Sequence, residues 1–272
     1  MKVTLIYAYW PNQPGGVTWC DLPWALRDKG LPKRLHEAGH EVIETILMAE
    51  EPSPDEMRAG LILAAEVAEA VADAAAQGEL AVVLAGSCAL SAIGAIGGLG
   101  GSGTAIAWFD AHPDLNTPET STSGLFEGMA LAAATGKAWR AMVAMHAGLA
   151  QPADLSRATL FGARDTDAAE RALIDAHAIE IAGDPSSLIS GVGDAARVYA
   201  HLDMDVHDAL TVRTNGSPVP GGPAVDDVRA ALTAIANLTC LGITGLDPAA
   251  PDAAQAADIA IEHVLAIAGA RS

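Results

Sequence analysis

Short apolar runs alternate along this chain with segments in which apolar residues recur at helical spacing. The runs Lys2–Ala8, Glu41–Leu47, Leu80–Ala85 ("LAVVLA"), Thr104–Phe109, Ala158–Gly162, Ala178–Ala182, Arg197–Leu202 and Leu238–Thr244 read as strands. Between them, helices are predicted over Leu31–Ala38, Pro54–Gln77, about Ala89–Gly98, near Phe126–Thr135, and over Ala168–Ala176, Ala224–Ile235 and Ala253–Ala268. Pro54 stands at a helix start, where its missing N–H costs nothing. The Gly97–Gly103 cluster reads as a turn, because glycine tolerates positive φ. No linker, low-complexity segment or repeat interrupts this order. It predicts an α/β fold: one doubly wound parallel sheet with helices on both faces, forming a single domain over residues 1–272.

Such sheets bind ligands beyond the carboxyl ends of their strands. The unusual polar residues stand there: Gly86-Ser87-Cys88, Asp110-Ala111-His112-Pro113-Asp114, Arg164-Asp165-Thr166-Asp167 and Asp203-Met204-Asp205. In "AIAWFDAHPDLN", Asp110, His112 and Asp114 occupy alternate positions after an apolar run. In an extended segment alternate side chains point the same way, so all three would converge. Asp203 and Asp205 repeat the spacing after another strand. Alone, the first motif is also compatible with a capped loop that tolerates a histidine. Together the two place four carboxylates and an imidazole at one edge. Like-charge repulsion and desolvation make that costly unless a divalent cation neutralises it.

Composition narrows the partners. Of the 272 residues 51% are hydrophobic but only 4% aromatic, so the core must be aliphatic. The formal net charge of −19 argues against nucleic acid and anionic membranes; it either concentrates cations, metal ions and cationic substrates included, or only serves solubility, the simpler reading. No signal-peptide pattern opens the chain, and the Ala-rich run Leu61–Ala76 carries Glu66, Glu69 and Asp73, so it reads as a helix of a soluble protein. Cys20, Cys88 and Cys240 are far apart and odd in number, which suggests reduced thiols and a cytoplasmic location.

The motifs resemble those of the ureohydrolase superfamily, the arginases, agmatinases and relatives. "DAHPDLNTPETSTSG" resembles its aspartate–histidine–aspartate loop and "LDMDVHDA" its second metal motif. "GSPVPGG" (Gly216–Gly222) and "TGLDP" (Thr244–Pro248) stand in the places of its later loops. The likeness runs from about Leu80 to the C-terminus. It implies a three-layer α/β fold and two manganese ions. Asp110 and Asp203 would bridge both ions, His112 and Asp205 would complete one site, and Asp114 the other. A metal-bridging hydroxide would attack an amidine carbon. Asn116 and Ser123 match positions that hold a substrate α-carboxylate, and Asp167 one that receives an α-amino group, although ordinary turn chemistry also explains these three. Relatives are commonly trimers or hexamers, so a homo-oligomer is expected.

Three positions depart from the family pattern. Its first metal histidine falls at Cys88, as in a branch acting on hydroxylated arginine. A thiolate there is a soft ligand, and a buried inert thiol is the other reading. The proton-shuttle histidine falls at Glu127, and a head-group asparagine at Leu125. The glutamate that pairs with guanidinium falls at Gly245. Asp114 and Glu127 are the candidate catalytic residues, and Glu127 is also a candidate substrate contact. His201, Cys20 and Cys240 match nothing and read as core or surface residues; His207 could line the pocket, but an ordinary loop histidine is the simpler reading. The expectation is a manganese-dependent amidinohydrolase acting on a guanidino, hydroxyguanidino or ureido amino acid. The alternative is a catalytically silent relative that binds metal or an amino acid as a sensor or partner subunit.

Overall fold

The computed structural model of the chain describes residues 1–11, 18–49, 55–216 and 218–271. Strand β1 (Lys2–Tyr9) is followed by helices α1 (Leu22–Asp28) and α2 (Leu31–Glu37), strand β2 (Glu41–Met48) and the long α3 (Glu56–Ala76). Next come β3 (Leu80–Ala85), α4 (Cys88–Gly98), β4 (Ala105–Phe109), α5 (Ala130–Ala134), α6 (Arg140–His146) and β5 (Ala158–Phe161). The remainder is α7 (Ala168–Ala176), β6 (Glu180–Ala182), α8 (Pro185–Val192), β7 (Val198–Asp203), α9 (Val225–Ala234), β8 (Leu238–Thr244) and α10 (Ala253–Ala270).

Among the described residues all eight strands are parallel and share one sheet, in the order β2-β1-β3-β8-β7-β4-β5-β6. Every expected strand is present, shifted by at most two residues at an end. Alternation along the strands sends side chains to two cores. Ile6, Val83, Ile106, Trp108 and Tyr199 pack with α3, α4 and α5 on one face. Leu5, Val82, Ala107, Leu202 and Leu241 pack with α1, α2, α8, α9 and α10 on the other. The three-layer architecture is therefore present. Helix α10 is the one described helix long and apolar enough to cross a membrane by length and composition. Its Ala256, Ala260, Val264 and Ile267 are buried in the second core.

Three short helices, α1, α6 and α8, were not expected from the sequence. Two carry legible start signals: Pro23 in the first turn of α1, and Pro185 in α8 after the capping box of Asp184 with Ser187. The segment expected as a helix near Phe126–Thr135 is a 3-10 turn, Glu127–Met129, followed by α5. The long helix begins at Glu56, with Asp55 accepting from the Arg58 amide at 3.0 Å. Pro54, the start expected from sequence, lies outside the described residues, as does Ser217 of the "GSPVPGG" loop.

The strand order positions the site. The four strands β3, β8, β7 and β4 are neighbours, and their registers align Leu84 with Ile243, Ile243 with Leu202, and Leu202 with Phe109. One residue further along, Thr244 is opposite Asp203, and Asp110 leaves β4 beside them. The acids of two distant motifs therefore emerge side by side at one sheet edge.

Candidate metal centre

Beyond β4 the chain does not continue as a strand. Asp110 accepts the His112 amide at 2.7 Å, which turns the backbone at once. Asp114 has φ +52, in the left-handed region that aspartate enters more readily than most residues. Its carbonyl accepts the Ala132 amide of α5 at 3.1 Å. The expectation that Asp110, His112 and Asp114 converge by strand alternation is thus corrected: a turn with no neighbouring strand folds them round. His112 joins Asp110 and Asp205 in one group of donor atoms within 4.8 Å of one another, while Asp114 falls with Cys88 and His201 in another. Asp110, Asp203 and His201 make a third.

His112 Nδ1 is 3.3 Å from both Asp110 Oδ1 and Asp205 Oδ2. Asp205 also accepts from the Ala111 amide at 3.2 Å and from Asn215 Nδ2 at 3.1 Å. Asp203 Oδ1 accepts the Asp205 amide at 2.8 Å, and its Oδ2 is 3.3 Å from Cys88 Sγ and 3.4 Å from Thr244 Oγ1. Cys88 opens α4 directly after β3, so the thiol reaches the cluster from the far side.

The electrostatics show what the cluster lacks. Burial pushes the Asp110 carboxyl up to about 7, with the Asp205 charge adding to the shift. Burial and neighbouring acids raise Asp114 and Asp203 well above the usual carboxylate range, and raise the Cys88 thiol likewise. Burial also opposes ionisation of Asp205, but its bonds to His112, Asn215 and the Ala111 amide outweigh it and hold the carboxyl low. Burial works against charge on His112 too; Asp110 and Asp205 overcome it and push its pKa up to about 12. With protons alone, the cluster must keep several carboxyls neutral and depends on one imidazolium. A divalent cation removes both demands, and oxygen donors with few nitrogens fit a hard ion. The residues present therefore fit a metal, with Cys88 as the one soft donor.

A cavity of about 390 Å³ opens over the cluster, and every site residue expected from sequence lines it. Glu127 is buried at its wall. Its Oε2 accepts from the Cys88 amide at 2.6 Å, Ser87 Oγ at 3.1 Å and the Ala89 amide at 3.4 Å, so it caps the N-terminus of α4. Its Oε1 is buried without a hydrogen-bond partner. Burial pushes its pKa up to about 7 against the lowering effect of those donors.

The three candidate head-group residues sit at the rim. Asn116 Nδ2 donates to Asp167 Oδ2 at 3.0 Å. Asp167 Oδ1 caps α7 by accepting the Ala169 and Glu170 amides at 2.9 and 3.0 Å. Ser123 Oγ accepts the Leu125 amide at 3.2 Å. Turn chemistry and a place on the cavity wall are both present at these positions.

Two residues to which sequence reasoning gave no role, Arg164 and Glu170, help to build the site. The five N–H groups of Arg164 reach six carbonyls, those of Gly162, Asp205, Val206, His207, Val219 and Pro220, with one N–H shared, and so pin the loop after β7. Glu170 accepts the Leu115 amide at 3.1 Å and the Asp167 amide at 3.1 Å, tying the loop after β4 to α7. Asp167 and Glu170 form a capping box, a signal visible in the sequence. His207 is buried but faces His263, Nε2 to Nε2 at 3.2 Å, and does not line the cavity. Cys240 is core, as expected. His201, expected in core or on the surface, is fully buried yet belongs to two of the donor groups. Its signal was its place two residues before Asp203, on the same face of the strand.

Comparison with known proteins agrees with this geometry. The model of the Arginase family matches residues 36–268. The N(omega)-hydroxy-L-arginine amidinohydrolase of Streptomyces lavendulae is 28% identical over 226 residues, spanning 79% of this chain and 80% of that protein. An arginase of Coccidioides immitis is 33% identical over 132 residues, 43% of this chain and 41% of that protein. Among solved structures, arginase from Bacillus cereus superposes with a TM-score of 0.86 at 24% identity, covering 99% of both chains. Arginase from Bacillus subtilis gives 0.85 at 23% identity, covering 98% of both. Four strand ends, two acid motifs and a match over most of the length lead to one conclusion: the chain belongs to the arginase family.

Proposed function

We propose that this chain is a manganese-dependent amidinohydrolase that cleaves a C–N bond in a modified guanidino amino acid, a hydroxyguanidino side chain being the best fit. The observation that carries this is the pairing of a metal-ready acid cluster with a wall that offers Glu127 and no carboxylate at residue 245. Asp110 and Asp203 would hold both ions, His112 and Asp205 one of them, and Asp114 with Cys88 the other. Bound divalent ions supply a strong oxygen nucleophile near neutral pH.

The chain's own residues do the rest. Glu127 Oε2 is occupied by three donors, which leaves Oε1 to accept a substrate N–H or N–OH. A carboxyl with its pKa near 7 can also take up a proton and return it to the leaving amine as the C–N bond breaks. Asn116, Ser123 and Asp167 at the rim suit an amino-acid head group. The relative from Streptomyces lavendulae carries the corresponding activity in its name, which supports the hydroxyguanidino assignment. The same reading makes the protein a cytoplasmic, single-domain homo-oligomer, a trimer or hexamer, with no nucleic-acid or membrane partner.

The test is turnover by manganese-loaded protein on arginine, hydroxyarginine and agmatine, with metal counted by elemental analysis. A charged hydrogen bond is worth about 1.5–3 kcal/mol, so the missing clamp should leave arginine roughly ten- to a hundred-fold behind the best substrate in kcat/KM. Glu127→Gln should reduce turnover of that substrate more than Asn116→Ala does. Arginine hydrolysed as well as hydroxyarginine would overturn the substrate assignment. Two equivalents of metal without turnover of any of the three would favour the sensor or partner-subunit role.

A further inference from the structure

The alternation that buries Tyr199 and exposes Asp203 to the acid cluster also aims His201 at it from below. Its ring stacks on Trp108, with centroids 3.7 Å apart and planes at 12°. Nδ1 lies 3.0 Å from the Tyr199 hydroxyl, which in turn lies 3.0 Å from Ser91 Oγ. Nε2 faces the cluster, 3.2 Å from Thr244 Oγ1 and 4.0 Å from Asp110 Oδ2. Its ring nitrogen falls within 4.8 Å of donor atoms of Cys88 and Asp114, and equally of Asp110 and Asp203.

We propose that His201 is a ligand of the metal ion on the Cys88 side of the cluster, held in the ligating tautomer by Tyr199. This rests on the metal-binding reading above and adds a donor that the motif comparison leaves out.

Three features support it. A histidine serving only as core has no need to aim a nitrogen at two buried carboxylates. The hydroxyl chain then decides which nitrogen carries the proton and which the lone pair. When Tyr199 donates to Ser91, its oxygen accepts Nδ1–H, and the lone pair is left on Nε2, facing the acids. Metal-bound histidines are commonly oriented by such a bond through the other ring nitrogen. Finally, the Cys88 side has lost the imidazole of the family pattern, and a thiolate alone suits a hard ion poorly. His201 restores a nitrogen donor from a different strand.

Cadmium NMR on the full-length protein, with isotope-labelled histidine, counts imidazole nitrogens at each ion without requiring activity. Two bound ions, each coupled to one histidine nitrogen, are expected: His112 at one and His201 at the other. His201→Asn should abolish one coupling only. Tyr199→Phe should weaken the same equivalent of metal by roughly 10- to 100-fold while leaving the other unchanged, the usual effect of losing an orienting partner. Because the coupling is read on the parent protein, a variant that misfolds does not decide the outcome. Two bound ions with coupling to His112 alone would overturn the role of His201 and leave the metal centre standing. Failure to bind cadmium and manganese at all would overturn both.

Discussion

Replacing Gly245 by glutamate looks like the direct way to rebuild the family's guanidinium clamp, and the structure predicts that it fails. Gly245 has φ +68, where an L side chain costs about 1–2 kcal/mol. A Cβ at this position would also overlap the carboxylate of Asp203, well inside contact distance. Asp203 has little freedom to retreat, because Oδ1 holds the Asp205 amide at 2.8 Å and Oδ2 lies between Cys88 and Thr244. Breaking that charge-assisted bond costs about 1.5–3 kcal/mol, and the cost falls on the acid proposed to hold both ions. At 1.4 kcal/mol per factor of ten, metal affinity should fall roughly ten- to 150-fold. The backbone strain should separately lower fold stability by about 1–2 kcal/mol. Gly245→Ala carries the same Cβ without the carboxylate and is the matched control. Both variants should lose metal alike, measured by titration with manganese, and unfold at lower denaturant. If Gly245→Glu keeps full metal content and hydrolyses arginine faster than both Gly245→Ala and the parent, the steric reasoning is wrong.

Other outcomes follow from the same geometry. Asp203→Ala should lose most of both metal equivalents by elemental analysis; full retention would refute its place between the ions. Arg164→Lys cannot reproduce six carbonyl contacts with three donors, and losing about three bonds should cost roughly 2–4 kcal/mol in denaturant unfolding. A loss below about 0.5 kcal/mol would show that the loop holds itself. His207 and His263 are kept neutral by burial, with pKa values lowered to about 4 and about 3 from 6.5. The unfolded chain therefore binds the extra protons, so their contribution is full above pH 6.5 and is lost as the pH falls toward 4. His207→Gln should flatten that decline by about one proton, some 1.4 kcal/mol per pH unit, in acid-dependent unfolding curves. An unchanged slope would mean that the pair is already charged in the fold.

The amino-acid sequence by itself determined the eight strands, because each is an apolar run with a local signal. It determined the parallel, doubly wound class through the alternation with helices, and it exposed the acid motifs because residue type and spacing are local properties. Gly245 and Cys88 were legible as departures for the same reason. The tertiary structure alone decided which strand ends are neighbours. The order β3-β8-β7-β4 joins residues that are far apart in the chain, and no local pattern encodes that pairing. It also decided how Asp114 reaches the cluster, through a left-handed turn where simple alternation predicts a strand. Glu127 became a carboxylate bound to the start of α4 with one oxygen free, which depends on packing across 39 residues of sequence. His201, expected in the core or on the surface, is fully buried. What the sequence could not show is the direction of its ring, because that is set by Trp108 on the neighbouring strand and by Tyr199, whose ring shares its face of the sheet.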